Sequence, residues 1–253
     1  MYYKLYNECC FTAFTDVEDE SVDLLLVDLP YGTTNCKWDS VLPLDKLWKE
    51  YNRVCKKNAA MIFTAAQPFT SALIMSNPKN FKYSWVWEKS KATGYLNAKK
   101  MPMRAHEDVC VFYRKPPTYN AQMWQSTPYN KGTALRPTDV YGKQTETTVK
   151  NDSGLRYPRT VQYFKTAESE GKGKSIHPTQ KPVALMSYLI RTYTNPGELV
   201  LDNTMGSGTT GVAALNEGRS FVGMEIDEKY FLHAEERMRE ASLSNENQIK
   251  RKC

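Results

Sequence analysis

A carboxylate, a main-chain carbonyl and an aromatic ring follow one another in the segment Asp28-Leu29-Pro30-Tyr31. The apolar run before it predicts a buried parallel strand, which places the segment at the carboxyl edge of a sheet, where α/β proteins bind ligands. The Asp28 carboxylate and the Leu29 carbonyl can accept two hydrogens of one amino group, while the Tyr31 ring can stack on a planar base. The segment suits a nucleobase that carries an amino group, although such residues alone more often form only a turn.

A second segment with ligand-binding chemistry is glycine-rich and runs from Asp202 to Gly211. It lies between a predicted strand and a predicted helix. Glycines there let a ligand approach the backbone, and the first turn of the helix offers unpaired N–H groups. Glu225 ends the next predicted strand, at about the distance where an acidic side chain can accept hydrogen bonds from two ribose hydroxyls. The combination predicts a nucleoside site.

The glycines of this segment also fit the G-x-G-x-x-G spacing, so a nicotinamide dinucleotide is a rival ligand. Two features disfavour it. Gly206 comes four residues after Asp202, which makes a wider loop than the tight dinucleotide turn. The Asp202 carboxylate also suits a methionine ammonium group better than a pyrophosphate. A glycine-rich turn without a ligand is the simpler alternative.

Alternating strands and helices must position these two segments. Apolar periodicity predicts strands over 22–27, 59–63, 83–87, 108–113, 198–201 and 221–226, and helices over 44–55, 68–75, 182–194 and 227–242. A further helix is predicted from the glycine-rich segment to about residue 216. This alternation predicts an α/β fold.

The net charge of +6 is unevenly distributed along the 253 residues. Residues 89–174 contain 16 basic and 7 acidic residues, a net charge of +9, whereas the rest of the chain has a net charge of −3. Residues 116–174 are polar and lack clear periodicity, which predicts a loop-rich insert rather than part of the sheet. The excess of positive charge permits a nucleic-acid partner.

A denser group of cations brackets Gly94-Tyr95, between the Asp28 segment and the insert. Such a run usually forms a solvated face, but its position makes contact with phosphates the better prediction. Trp38, shortly after the Asp28 segment, could pack in the core or touch the same partner. The predicted nucleic-acid contacts are Trp38, Lys89, Lys91, Lys99, Lys100 and Arg104.

The sequence gives no sign of a membrane, secretion or metal. No apolar stretch approaches the roughly 18 residues that a spanning helix needs, and the N-terminus lacks a signal-peptide pattern, so we expect a cytoplasmic protein. The six cysteines show neither a C-x-x-C pair nor zinc spacing, which predicts reduced thiols.

These segments, in this order and spacing, resemble the S-adenosylmethionine-dependent DNA amino-methyltransferases, specifically the permuted (beta) group whose catalytic loop precedes the cofactor loop. The Asp28 segment resembles the D-P-P-Y motif of that family, and residues 202–208 resemble its D-P-F-x-G-S-G motif. Further similar stretches are Asn7-Glu8-Cys9, Arg104-Ala105-His106-Glu107 and His177-Pro178-Thr179-Gln180-Lys181-Pro182. The resemblance covers roughly residues 1–115 and 175–240.

The resemblance implies a Rossmann-like fold with a largely parallel, doubly wound sheet. It divides the chain into a catalytic half (1–115), a target-recognition insert (116–175) and an S-adenosylmethionine-binding half (176–253). The implied catalytic residues are Asp28, Leu29, Pro30 and Tyr31. The implied cofactor-binding residues are Glu8, Cys9, Asp28, Lys181, Asp202, Thr204, Met205, Gly206, Ser207, Gly208, Thr209, Thr210, Glu225 and Ile226. Among them, the resemblance implies that Lys181 meets the carboxylate of the cofactor.

The implied reaction is methyl transfer to an exocyclic amino group of a base flipped out of double-stranded DNA. In this family an aspartate in the first motif position usually accompanies methylation of adenine N6, so Asp28 favours adenine. Cytosine N4 is the alternative, as is a non-catalytic DNA-binding protein on the same scaffold. The resemblance admits a homodimer and a cognate restriction endonuclease as partners without requiring either.

The sequence departs from the family pattern at three places. Leu29 replaces the first proline, which loses rigidity but keeps the carbonyl. Asn203 and Thr204 replace Pro-Phe, removing an aromatic residue next to the cofactor, and Glu8 replaces Asp. None of these changes removes a group that the chemistry requires.

Overall fold

The computed structural model describes residues 2–32, 40–134, 142, 146–170 and 180–250. The chain forms two compact units. The larger comprises Met1–Asn120 and Thr160–Cys253, and the smaller comprises Ala121–Arg159.

Twelve strands are described. They are β1 (Tyr3–Tyr6), β2 (Val22–Asp28), β3 (Cys55–Ala65), β4 (Phe81–Thr93), β5 (Arg104–Phe112), β6 (Trp124–Gln125), β7 (Tyr129–Ala134), β8 (Thr147–Asn151), β9 (Leu155–Arg156), β10 (Val161–Phe164), β11 (Leu199–Asp202) and β12 (Ser220–Met224). Eight of them form the central sheet of the larger unit, in the order β1-β12-β11-β2-β3-β5-β4-β10. β5 pairs antiparallel with β3 and β4, and the other neighbours are parallel. The predicted α/β fold with a largely parallel sheet is therefore confirmed.

Helices cover both faces of this sheet. They are α1 (Cys10–Ala13), α2 (Leu44–Val54), α3 (Phe69–Ser76), α4 (Ala167–Glu170), α5 (Val183–Tyr193), α6 (Thr209–Asn216) and α7 (Glu228–Lys250). Leu25 and Val27 of β2 pack with α1, α2 and α3, whereas Leu24 and Leu26 pack with α5, α6 and α7. A strand that is buried on both faces has a continuous apolar sequence, and for this reason β2 could be predicted.

The segment Val161–Phe164 corrects one prediction. These residues form β10 and pair with β4 at the edge of the main sheet, whereas the sequence predicted that 116–174 lies outside it. Residues of β10 alternate between exposed and half-buried, so they lack the apolar run that marks the central strands. β1 was likewise not predicted; it is four residues long and pairs only with β12.

The smaller unit is held by turns and strand pairing. β6 pairs with β9 and β7 with β8, both antiparallel. The Asn151 side chain accepts a hydrogen bond from Gly154 N at 2.7 Å and donates one to Leu155 O at 2.7 Å. Of the residues from 121 to 159 whose burial is described, only Gly154 is buried. The proposed role of this region in target recognition remains a prediction.

Four cysteines fall within the described residues, and all four are free thiols. Cys10, Cys55 and Cys110 are buried and Cys9 is exposed. Cys36 and Cys253 lie outside the described residues. Within the described part of the chain, no helix combines the length and the apolar character needed to cross a membrane.

Two glycines allow α6 to pack closely. A Cβ on Gly208, whose φ is +73°, would lie 2.8 Å from the Ala234 Cβ in α7. A Cβ on Gly211 would lie 2.7 Å from the Phe221 ring in β12. Gly211 therefore serves the contact between helix and strand, which accounts for part of the G-x-G-x-x-G spacing without a dinucleotide.

Gly208→Ala should destabilise the fold more than Gly197→Ala. Both glycines have positive φ, so either alanine costs roughly 1–2 kcal/mol of backbone strain. Gly197 has open space around its Cβ position among the described residues, whereas the crowding at Gly208 adds about 1–3 kcal/mol. Urea unfolding of the two variants measures the difference, and equal losses of free energy would contradict this account of the packing.

Candidate active site

A cleft opens at the carboxyl ends of three adjacent parallel strands. Asp28 ends β2, Asp202 ends β11, and Glu225 follows β12 directly. Because these strands are neighbours in the order β12-β11-β2, the three acidic side chains reach one edge of the sheet. All four predicted catalytic residues line the cleft, as do all the predicted cofactor residues except Gly208.

The Asp28 carboxylate is held by three donors. Oδ1 accepts hydrogen bonds from the Thr64 hydroxyl at 2.5 Å and the Tyr31 hydroxyl at 2.7 Å. Oδ2 accepts one from Lys181 Nζ at 2.6 Å. Thr64 lies directly opposite Asp28 in the β2–β3 register, so strand pairing alone brings its hydroxyl to the carboxylate. The carboxylate is therefore fixed in orientation before any ligand arrives.

The Tyr31 ring is supported by a second aromatic ring. It stacks on Phe69 at the start of α3, with ring centroids 5.2 Å apart and an interplanar angle of 20°. Burial raises the pKa of the Tyr31 phenol, and the negative charges of Asp28 and Glu107 raise it further. The phenol consequently stays protonated and donates to Asp28.

Lys181 and Lys89 are placed differently from what the sequence predicted. Lys181 was expected to meet the carboxylate of the cofactor, but its Nζ lies 2.6 Å from Asp28 Oδ2 and 3.4 Å from Glu107 Oε2. Lys89 was expected to contact DNA phosphates, but its side chain is only 9% exposed and forms an ion pair with Glu107. We therefore withdraw Lys89 from the predicted DNA contacts, since the Glu107 carboxylate holds its charge inside the protein.

The Glu225 carboxylate is oriented by backbone donors. Oε2 accepts a hydrogen bond from Gly206 N at 2.9 Å and Oε1 accepts one from Asp227 N at 2.8 Å. Each oxygen keeps a further acceptor direction. The Gly206 N–H is thus used to orient Glu225, whereas the N–H groups predicted to meet a ligand belong to the first turn of α6.

Asp202 is the most strongly perturbed carboxyl of the cleft. Its residue is 2% exposed, and burial raises its pKa to about 7. Hydrogen bonds from Thr210 and from Thr204 N lower this pKa, whereas the charges of Asp28 and Glu225 raise it. Among the described residues, neither Asp202 nor Glu225 takes part in an ion pair. This side of the cleft therefore favours a cationic ligand.

The two residues that replace Pro-Phe make polar contacts. Asn203 Oδ1 accepts a hydrogen bond from the Tyr51 hydroxyl at 2.8 Å, and the Thr204 hydroxyl donates to the Asp28 carbonyl at 3.0 Å. Thr204 thereby connects the glycine segment to the Asp28 segment. Asn203 also lines the cleft, and its side chain interacts with the buried Cys10 thiol.

Several contributing residues were not singled out for these contacts from the sequence. Glu107 was noted only as part of a stretch that resembles the family, and no local signal pointed to Thr64 or Phe69. Arg237 of α7 donates to the carbonyl and hydroxyl oxygens of Ser207 and so holds the glycine segment in place. These contacts join residues distant in sequence, which a local motif does not show.

The remaining predicted DNA contacts lie on or near the connection between β4 and β5. Lys91, Lys99, Lys100 and Arg104 are exposed there, and Lys91 lies 3.3 Å from Glu168. Trp38 and the motif residues 177–179 lie outside the described residues.

Comparison with known proteins identifies the class to which this fold and site belong. A family model described as DNA methylase (N6_N4_Mtase) matches residues 22–236. The match spans most of the chain and includes both ligand-binding segments. The chain belongs to this family of DNA methyltransferases.

Two curated relatives are similar over most of their length. The chain is 30% identical over 247 residues to Type II methyltransferase M1.MboII of Moraxella bovis, covering 90% of this chain and 93% of that protein. It is 30% identical over 223 residues to DNA adenine methyltransferase YhdJ of Escherichia coli (strain K12), covering 83% and 74% respectively.

Two solved structures share the fold. The M1.HpyAVI–SAM complex has a TM-score of 0.63 at 25% identity, covering 93% of this chain and 99% of that one. The cytosine-N4-specific PvuII DNA methyltransferase has a TM-score of 0.69 at 17% identity, covering 94% and 86%. The expected Rossmann-like methyltransferase fold is confirmed.

The raised pKa of Asp202 predicts a pH-dependent effect of Asp202→Asn on stability. Between the ordinary aspartate value of 3.8 and about 7, the folded protein holds a proton on Asp202 that the unfolded chain has lost, so stability falls as pH rises. Asparagine lacks this dependence. The free energy of unfolding in urea should therefore rise for the variant relative to the wild type between pH 5 and pH 8. The expected rise is up to a few kcal/mol, at roughly 1.4 kcal/mol per pH unit. A difference that is constant with pH would contradict the assignment.

Proposed function

We propose that this protein transfers a methyl group from S-adenosylmethionine to the N6 amino group of adenine in double-stranded DNA, acting on a base flipped out of the duplex. The observation that carries the proposal is the Asp28 carboxylate. It lies in one cleft with two acidic groups suited to a cationic nucleoside and beside an aromatic ring suited to a base.

The described residues fit S-adenosylmethionine. Glu225, aimed by two backbone N–H groups, can accept hydrogen bonds from the ribose hydroxyls. Asp202, for which no ion pair is found among the described residues, suits the ammonium group. M1.HpyAVI, which shares this fold, has been solved in complex with SAM. When bound, this cofactor supplies a methyl group already activated on a sulfonium.

The catalytic task left to the protein is to position and activate the amino nitrogen of the base. That nitrogen is a weak nucleophile because its lone pair is delocalised into the ring. Asp28 and the Leu29 carbonyl accept its two hydrogens and so favour a tetrahedral nitrogen with a freed lone pair. The nitrogen gains the methyl carbon and loses one proton, which the Asp28 carboxylate or a water molecule accepts.

The choice of adenine rests on two supports. Asp28 occupies the motif position where the family's aspartate usually accompanies adenine methylation, and YhdJ, 30% identical to this chain, is a DNA adenine methyltransferase. Cytosine N4 is the second candidate, because the family includes it and the PvuII enzyme has the same fold.

DNA is the expected partner, and the exposed cations of the β4–β5 connection are the expected phosphate contacts. Residues 116–175, which include the smaller unit, are the proposed target-recognition part. The Asp28 segment precedes the glycine segment, as the permuted group requires. The reaction would take place in the cytoplasm, where a homodimer or a cognate restriction endonuclease could join it.

Asp28→Asn should abolish most of the methyl transfer while Asp23→Asn leaves it intact. Asparagine cannot accept the proton and places an NH₂ where an acceptor is needed, so we expect a loss of at least about 100-fold in kcat. Asp23 lies near the other end of the same strand and pairs with Lys56, so it serves as a matched control. The measurement is transfer of labelled methyl groups from S-adenosylmethionine to unmethylated DNA.

Base-resolved sequencing of the product then identifies the acceptor. N6-methyladenine supports the proposal, N4-methylcytosine selects the second candidate, and transfer to RNA alone refutes DNA as the substrate. A folded wild-type protein that binds DNA without any turnover would establish the non-catalytic alternative.

S-adenosylhomocysteine, which keeps the ribose and the ammonium group, should raise the melting temperature, and NADH should not. Its ammonium favours ionised Asp202, so its affinity should weaken as pH falls below about 7. Asp202→Asn should bind it more weakly at pH 8 and show little of this pH dependence. Isothermal titration at several pH values tests both points. A stronger shift with NADH would favour the nicotinamide alternative.

A further inference from the structure

Four side chains of alternating charge form a continuous chain that ends at Asp28. Lys89 contacts Glu107, Glu107 Oε2 lies 3.4 Å from Lys181 Nζ, and Lys181 Nζ lies 2.6 Å from Asp28 Oδ2. The residues come from β4, β5, the segment before α5, and β2. No single motif contains them, since 153 residues separate Lys181 from Asp28.

This row of charged side chains is largely buried. The side chains of Lys181, Lys89 and Glu107 are 6%, 9% and 14% exposed. Burial lowers the pKa of Lys181, but the charges of Asp28 and Glu107 outweigh it and raise the pKa above its ordinary value. Burial raises the pKa of Glu107, but Lys181 and Lys89 outweigh it and lower the pKa. Each buried charge is thus maintained by its neighbours.

Sheet register explains how Glu107 reaches this position. In the antiparallel β4–β5 pair, Glu107 lies opposite Trp87, two residues before Lys89. Lys89 and Glu107 therefore project from the same face of neighbouring strands, as diagonal partners. Lys89 Nζ also lies 5.1 Å from the Trp87 ring centroid, which keeps its side chain folded back toward Glu107.

The donors at Asp28 leave one acceptor direction open. An ionised carboxylate has about four acceptor sites. Two are taken on Oδ1 by Thr64 and Tyr31, and a third is taken on Oδ2 by Lys181. Among the described donors none occupies the fourth site, which belongs to Oδ2, the oxygen that Lys181 contacts.

We propose that Lys181 is a positioning residue for methyl transfer: by bridging Asp28 and Glu107 it fixes the Asp28 carboxylate so that Oδ2 presents its remaining acceptor site to the amino group of the target base. Glu107 and Lys89 hold Lys181 in that place. This inference rests on the proposed function, because it assigns a role within that reaction.

The competing role for Lys181 is contact with the carboxylate of the cofactor, which the sequence resemblance implied. The two roles differ in what the loss of the cation affects. A cofactor ligand contributes to binding of S-adenosylhomocysteine, whereas a positioning residue contributes to kcat and leaves that binding nearly unchanged.

Lys181→Met tests this distinction, with Lys56→Met as the matched control. Lys56 also pairs with an aspartate of β2 at 2.6 Å, but at the end of the strand away from the cleft. We expect Lys181→Met to lower kcat about 100-fold, since a small misplacement of a reacting group can cost that much. Its dissociation constant for S-adenosylhomocysteine should change less than about threefold, and Lys56→Met should retain full kcat.

A double variant removes the risk that an unpaired Glu107 unfolds the protein. Lys181→Met/Glu107→Gln deletes both charges, so Glu107 is not left as an unpaired carboxylate, while Asp28 still lacks its cation and Lys89 loses its partner. Its kcat should be as low as that of Lys181→Met. Glu107→Gln alone keeps the contact between Lys181 and Asp28, so its kcat should fall clearly less.

The outcomes are distinct. Loss of S-adenosylhomocysteine binding with an unchanged kcat overturns the inference in favour of a cofactor ligand, and an unchanged kcat with unchanged binding overturns it outright. A low kcat in Lys181→Met that the double variant restores would show that the orphaned Glu107, and not Asp28, caused the loss. A wild-type protein without methyl transfer would refute the proposed function itself.

Discussion

Burial of acidic side chains at one edge of a parallel sheet is the constraint on which this structure depends. Asp28, Asp202 and Glu225 end or follow three adjacent strands, and a buried charge is costly unless it is compensated. Each is accommodated differently. Asp28 has a cation and two hydroxyls, Glu225 has two backbone N–H groups, and Asp202 has a pKa raised to about 7, which leaves it partly neutral at neutral pH.

The antiparallel direction of β5 serves this compensation of buried charge. The parallel strands deliver their carboxyl ends to the cleft, but a cation buried beside Asp28 needs a second anion. Glu107 supplies it from the start of β5, which runs opposite to β3 and so begins at the edge where β2 ends. The same reversal makes Lys89 of β4 a diagonal partner of Glu107, and their ion pair completes the compensation.

The sequence predicted what is local and missed what depends on register. The Asp28 and glycine segments carry their own signals, and β2 is recognisable because both its faces are covered. Glu107 lies in a stretch that resembles the family, but that stretch did not show its role, which exists only once β4, β5 and the Lys181 segment meet. Lys89 was misassigned for the same reason. A run of lysines in the sequence shows where positive charge lies, but it does not show which of these side chains is buried beside an acidic partner. β10 was missed because an edge strand buries only alternate residues.

The cleft is electrostatically divided. Around Asp28 the charges are paired, and three donors set the orientation of its carboxylate. Among the described residues no cation pairs with Asp202 or Glu225, so the negative charge there is left for a cationic ligand to neutralise. A cation that binds beside Asp202 favours its ionised form, so the charge on that side of the cleft depends on whether a ligand is bound. Asp28 and Asp202 repel each other, and the Lys181 cation beside Asp28 offsets part of that repulsion when Asp202 ionises.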